Sequence, residues 1–439
     1  MISTIITPND PLVMGSSDSE SIQNAIHLAV QNSHTVRIPR INERTQSDTW
    51  VIDKTILLPS DITIILDNCH LRLADGVYEN IFRNSNAYEP IGRTSEGTQH
   101  NIHIIGIGNA VLDGGNHNGL FEQTFRKLGL PHPMTGNLIL FINVQDFVLE
   151  KFCCANMRYW AINQMYCSHG RISNIHFVNG PKLHNQDGIH VCGGCSELII
   201  ENITGLTGDD VIGLTAFPWE EYARFRYDDA NEDIHDVYIR NVKAHTRQSV
   251  VSLRAVDGAK LYRIHIEEIT DVGGWTPEYG AWGVVRIGEV NYYKEYPAQP
   301  GDIYEITVNG VHSQCRGTVF LGCTLKDSHI SNVYAGGSSM HAISTFMNET
   351  VFWENGCMRE GGITMENVVI ENIHYNAVPG FLDDVNQTVP GTEWHGAALD
   401  FRCMRKTDYL KNVIFRNIFA RDGADIAVCK EGFKLDIRN

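Results

Sequence analysis

The chain has 439 residues, 43% of them hydrophobic, enough to bury one elongated core or two compact ones. Its 35 Lys and Arg stand against 52 Asp and Glu, a formal charge of −17 that repels nucleic acid and anionic membranes, and no basic run relieves it. No stretch of about 18 apolar residues is present to span a bilayer.

The first twenty residues, MISTIITPNDPLVMGSSDSE, lack the basic and apolar regions of a secretory signal, so the expected location is cytoplasmic unless a signal was trimmed. The eleven Cys follow no framework spacing and are read as reduced thiols. Cys192-Gly-Gly-Cys195 is a lone CxxC without a second ligand pair, hence a pair of buried structural thiols and not a metal site.

Along the chain, SDSESIQNAIHLAVQN (17–32) comes first, predicting a helix whose Ile22, Ala25, Ile26 and Ala29 share one face behind Ser/Asp caps. After it a degenerate tetrapeptide recurs: IIGI (104–107), LEKF (149–152), ISNI (172–175), IENI (200–203), IRNV (239–242) and IEEI (266–269). It continues as VNGV (308–311), ISNV (330–333), IENI (370–373) and FRNI (415–418). The short spacings are 22 to 28 residues, and those of 39 to 45 read as one rung plus a protruding loop.

Short β-branched strands between Gly, Asn and Asp turns cannot bury their own apolar face, so stacking is the physical solution. The expected fold class is all-β: a right-handed parallel β-helix, a solenoid of about ten rungs with a short N-terminal capping helix. The Asn of the repeat suits a corner, because Asn tolerates left-handed backbone angles and its amide can bond the equivalent on the next rung. A propeller would need blades of even length, about 40–50 residues each. HGAALDFRC (395–403) reads as one more strand, and the whole chain, 1–439, reads as a single domain with an inserted loop at 217–233.

Two stretches carry acids between apolar edges, NQDGIHV (185–191) and TGDDVIGL (207–214). Aligned on the tetrapeptides, TGDDVIGL lies over TRQSVVSL (246–253), which puts Asp187, Asp210 and Ser249 in one column and Asp209 over Gln248. Rungs are about 4.8 Å apart, a separation at which like charges repel and raise the pKa of at least one acid. A single Asp pair is an ordinary turn. Stacked acids on successive rungs cost energy unless a cation, a shared proton or a function offsets it.

NQDG, GDD and RIG, in this order, resemble the NTD, GDD and RIK motifs of glycoside hydrolase family 28, the polygalacturonase group. The likeness extends to IIGIGNAVLDGG (104–115) and MRYWAINQMYCSHGRISNIHF (157–177), and covers roughly residues 17–335. It implies a right-handed parallel β-helix and inverting hydrolysis of a glycosidic bond, without cofactor or metal, on an oligosaccharide or polysaccharide. Residue by residue it makes Asp209 the general acid and gives Asp187 and Asp210 the attacking water. A regular strand would point Asp209 and Asp210 apart, so a bend at Gly208 is expected.

Two departures from the family pattern bear on the substrate. The family His falls on Gln248, which cannot exchange a proton near neutral pH, and the family Lys falls on Gly288 of Arg286-Ile287-Gly288. Both changes argue for a sugar other than polygalacturonate. Further candidate substrate contacts are Asn185, His184, Arg247, Arg254, Arg286, Trp282 and Tyr292; their bland readings are a turn Asn, a loop His, solvated Arg and core aromatics. Two rival functions stay open: a β-helix lyase, epimerase or transferase, and a catalytically silent carbohydrate-binding relative. A homo-oligomer is also left open.

Overall fold

The computed structural model describes residues 5–116, 136–179, 185–216, 231–256, 258–273, 283–288, 298–345, 363–378, 396–402 and 407–439, together with Arg226, Ala281, Met404 and the pairs 353–354 and 357–358. Two compact units are formed, residues 1–208 with 218–231, and residues 209–217 with 232–439. The regular structure is nearly all β, in long parallel sheets of the right-handed parallel β-helix type, with one short N-terminal helix.

In the first unit that helix, Asp18–Val30, starts where the Ser17 side chain accepts a hydrogen bond from the Glu20 amide. Ile22, Ala25, Ile26 and Ala29 are fully buried, the face expected from their spacing. Beyond it Ile139–Ile142, Ile162–Met165 and Ile189–Cys192 pair in parallel, with Ile139, Ile162 and Ile189 in one register column. All three are wholly buried. Cys192 and Cys195 are buried free thiols, as their lone spacing suggests, and burial pushes the Cys195 thiol well above its ordinary range.

The second unit repeats this with greater regularity. Ile239, Ile266, Val308, Ile330, Ile370 and Phe415 form one continuous parallel column. Every member is fully buried, worth about 1.5–3 kcal/mol each before chain entropy is counted. A second face runs from Ile212–Ala216 through Val251–Ala255, Val285–Ile287, Gly317–Leu321 and His341–Ser344 to Ala397–Phe401, the strand expected within 395–403.

The third residue of the tetrapeptide is the corner. Lys151, Asn174, Asn202, Asn241, Glu268, Gly310, Asn332, Asn372 and Asn417 all take positive φ, a conformation Asn and Gly adopt at least cost. The amide ladder forms as well: Asn417 Nδ2 donates to Asn372 Oδ1 at 2.9 Å, and Asn372 Nδ2 to Asn332 Oδ1 at 3.2 Å.

Candidate functional site

Asp209 and Asp210 lie in a bend just before strand Ile212–Ala216. Ile212 pairs with Val251 and Leu214 with Leu253, so Asp210 stands over Ser249 and Asp209 over Gln248, the register read from the repeat. The Val211 amide donates to the Ser249 carbonyl at 2.9 Å and fixes that placement. Ile212, Leu214, Val251 and Leu253 fill the core, so alternation sends Gly213, Ser252 and, one rung on, Arg286 to the opposite face.

That face holds Asp210. Its Oδ2 accepts from Ser252 Oγ at 2.7 Å, from Arg254 at 2.6 Å and from Arg286 at 3.1 Å, and Arg286 also reaches Oδ1 at 3.3 Å. Asp210 is 1% exposed. Burial pushes its carboxyl upward, but the charges of Arg254 and Arg286 and the hydrogen bonds of Ser252 and Arg254 outweigh it and bring the pKa down to about 2. Asp210 is not an acid of the column that repulsion raises, because Arg254 and Arg286 lie at hydrogen-bond distance from it. Nor is Arg254 solvated surface: its side chain is 13% exposed and committed to Asp210.

Asp209 is half-buried, and its Oδ1 accepts from the Asp210 amide at 3.0 Å. The Thr246 hydroxyl donates to the Asp209 carbonyl while accepting from the Gln248 amide at 3.2 Å, tying the bend to the next rung. Gly208 lies in the same bend without a left-handed φ, so the turn does not depend on glycine's extra freedom. Arg247 and Gln248 are half-buried beside it. At the position of the family Lys, Gly288 has φ +77, and a Cβ there would fall 2.0 Å from Cys323 Sγ. The backbone at this point accepts glycine and nothing longer without rearrangement.

In the first unit Asp187 precedes strand Ile189–Cys192, and its Oδ2 accepts from His190 Nδ1 at 2.9 Å. Both side chains are at most 5% exposed. The imidazole lies flat on Trp160, ring centroids 3.5 Å apart and 3° from parallel, with Tyr159 stacked behind at 4.8 Å. Asn185 takes φ 61, and Gln186 donates to the Met157 carbonyl, a structural anchor for the turn. His190 escaped the sequence reading, although Ile189 and Val191 point to the core and alternation sends it to the face opposite them, where it meets Asp187. His184, Trp282, Tyr292 and the loop at 217–233, apart from Arg226 and residues 231–233, lie outside the described residues.

No protein-family model matches the chain, and no curated protein matches it in sequence. Solved structures share its fold. A family 28 exopolygalacturonase of Yersinia enterocolitica aligns over 99% of this chain and 78% of its own, at 12% identity and a TM-score of 0.50. The A-module of a mannuronan C-5 epimerase of Azotobacter vinelandii aligns over 99% of both chains at 12% identity and a TM-score of 0.58. A surface adhesin of Streptococcus pneumoniae aligns over 99% of this chain and 93% of its own, at 11% identity and a TM-score of 0.54. Polygalacturonases, epimerases and an adhesin thus share one architecture, and at such identities the likeness establishes the fold alone.

Proposed function

We propose that the chain is a glycoside hydrolase that cleaves oligosaccharides or polysaccharides with inversion, Asp209 protonating the leaving oxygen and Asp187 deprotonating the attacking water. The observation that carries this reading is the contrast between neighbours. Asp210 is fully buried and held ionised by Arg254, Arg286 and Ser252, while the adjacent Asp209 is half-buried, the Asp210 amide being among its partners. Adjacent acids in unlike environments are the arrangement that separates acid from anion in hydrolases. Asp210 then serves as a fixed negative charge that positions two arginines, since a carboxyl titrating at about 2 is a weak base. His190, donating to Asp187, is a positioning residue that aims the carboxylate.

The resemblance of NQDG, GDD and RIG to the family 28 motifs supports the roles of Asp209 and Asp187, while for Asp210 it implies a share in handling the water that a carboxyl held so low does not favour. The lyase and epimerase reading needs a cation to acidify the proton beside a uronate. Arg254 and Arg286 are both bonded to the Asp210 carboxylate, so both are committed to a protein anion, which weakens that reading.

The test is a glycan panel with the product anomer followed by proton NMR, for the wild type and Asp209→Asn. Turnover on an unactivated glycoside should fall by about 10² to 10⁴ in the variant with little loss of stability, since general acid catalysis of that size is removed. A retained anomer, near-normal turnover of the variant, or an unsaturated product made only with calcium would overturn the assignment.

A further inference from the structure

One residue before Thr246, which bonds the Asp209 carbonyl, begins a second cluster that the second unit brings together at three successive rungs. His245 ends strand Ile234–His245, Asp271 ends Leu261–Asp271, and Cys315 lies two residues beyond Ile303–Ser313. The register pairs Ala244 with Asp271 and Thr270 with His312, so the three strand ends coincide. One ligand atom from each of His245, Asp271 and Cys315 lies within 4.8 Å of the others.

The hydrogen bonding is lopsided. Asp271 Oδ1 accepts from His245 Nδ1 at 2.9 Å and from the Gly273 amide at 3.2 Å. Asp271 Oδ2 is buried with no hydrogen-bond partner among the described residues, in a side chain with no exposed surface. The Cys315 thiol, which interacts with the Asp271 carboxylate, also donates to the Gly273 carbonyl at 3.3 Å. A buried carboxylate oxygen without a donor costs about 1–3 kcal/mol or more, and a cation is the partner that would remove the cost. Gly273 is part of the construction, because a Cβ there would fall 2.1 Å from His245 Nδ1 and displace the ring.

We propose that His245, Asp271 and Cys315 form a site for a divalent zinc-type cation that pins three successive rungs. Imidazole, carboxylate and thiolate are the ligands of four-coordinate zinc, whereas calcium and magnesium take six or more oxygens. Water or the Gly273 carbonyl completes the fourth position. The thiol proton leaves to solvent as the metal–sulfur bond forms. The site is independent of the glycosidase reading and can fail or stand without it.

The probe is cobalt(II) added to the chelator-treated full-length protein, read by absorption and by equilibrium dialysis. One cobalt per chain, a thiolate-to-metal band in the near ultraviolet and tetrahedral visible bands are expected, all displaced by zinc. Cys315→Ser should abolish the ultraviolet band, and Asp271→Asn should weaken binding by about 10–100-fold. Cys429→Ser, at a half-buried thiol elsewhere, should leave the spectrum intact. Should Cys315→Ser not fold, His245→Gln gives the same reading through loss of the tetrahedral bands. No stoichiometric cobalt binding, or a spectrum that survives Cys315→Ser or His245→Gln, overturns the site.

Discussion

Asp210→Asn removes one charge from a buried cluster with almost no change of shape, and the size of its effect follows from the partners. The carboxyl is brought from 3.8 to about 2 in the folded chain. Because its folded pKa is depressed, its stabilisation is present above the unfolded value and is lost as pH falls from about 4 through 2. At about 1.4 kcal/mol per pKa unit, that contribution is about 2 kcal/mol. The variant loses more than this at neutral pH, since Arg254 and Arg286 remain buried without the anion they share. Breaking a buried pair in this way costs about 3–5 kcal/mol. Guanidinium unfolding of both proteins, followed by circular dichroism from neutral to acid pH, should give that difference at neutrality and a smaller gap as Asp210 protonates in the wild type. A neutral-pH loss under about 1 kcal/mol, or a gap that does not narrow in acid, would refute the electrostatic account.

Neutral or mixed oligosaccharides should be turned over better than homogalacturonan fragments, because the lost lysine position costs about ten- to a hundredfold in affinity for a uronate; a side-by-side panel decides. Gly288→Lys should not restore uronate binding and should destabilise the fold by about 2–4 kcal/mol, through left-handed strain and the overlap with Cys323; thermal unfolding and inhibition by galacturonate read both. In the corner ladder, Asn372→Val should cost about 2–4 kcal/mol and Asn372→Gly about 1–2, because Val loses the left-handed tolerance as well as two amide bonds; the reverse order in denaturant midpoints would count against the corner role.

The rungs were legible because the information that specifies them is local and repeated. An apolar pair flanking a residue that tolerates positive φ recurs from Lys151 to Asn417, and loops of any length can be inserted between copies without disturbing the register. The same regularity let Ile212 be set against Val251 by counting alone. IIGI (104–107) is the exception among the ten, since Gly106 is not left-handed. Its neighbour in the chain explains it: Gly108 has φ 63 and takes the left-handed conformation two residues later.

Side-chain chemistry between rungs is a different kind of information, and the acids illustrate why. Arg286 is 76 residues from Asp210 and Ser252 is 42 residues away, so no local pattern marks either as its partner. Read alone, a second acid on the next rung argues for repulsion and a raised pKa. Once Arg254 and Arg286 are in place the sign reverses, because opposite charges at hydrogen-bond distance outweigh both burial and like charges farther off. His245, Asp271 and Cys315 were illegible for the same reason, each ending or following a different strand with no motif spacing between them. His190 differs, since it lies three residues from Asp187 and alternates with the core residues Ile189 and Val191, both local signals. In a solenoid, then, the column a residue occupies follows from counting, whereas its charge state follows only from which neighbours the intervening loops allow to reach it.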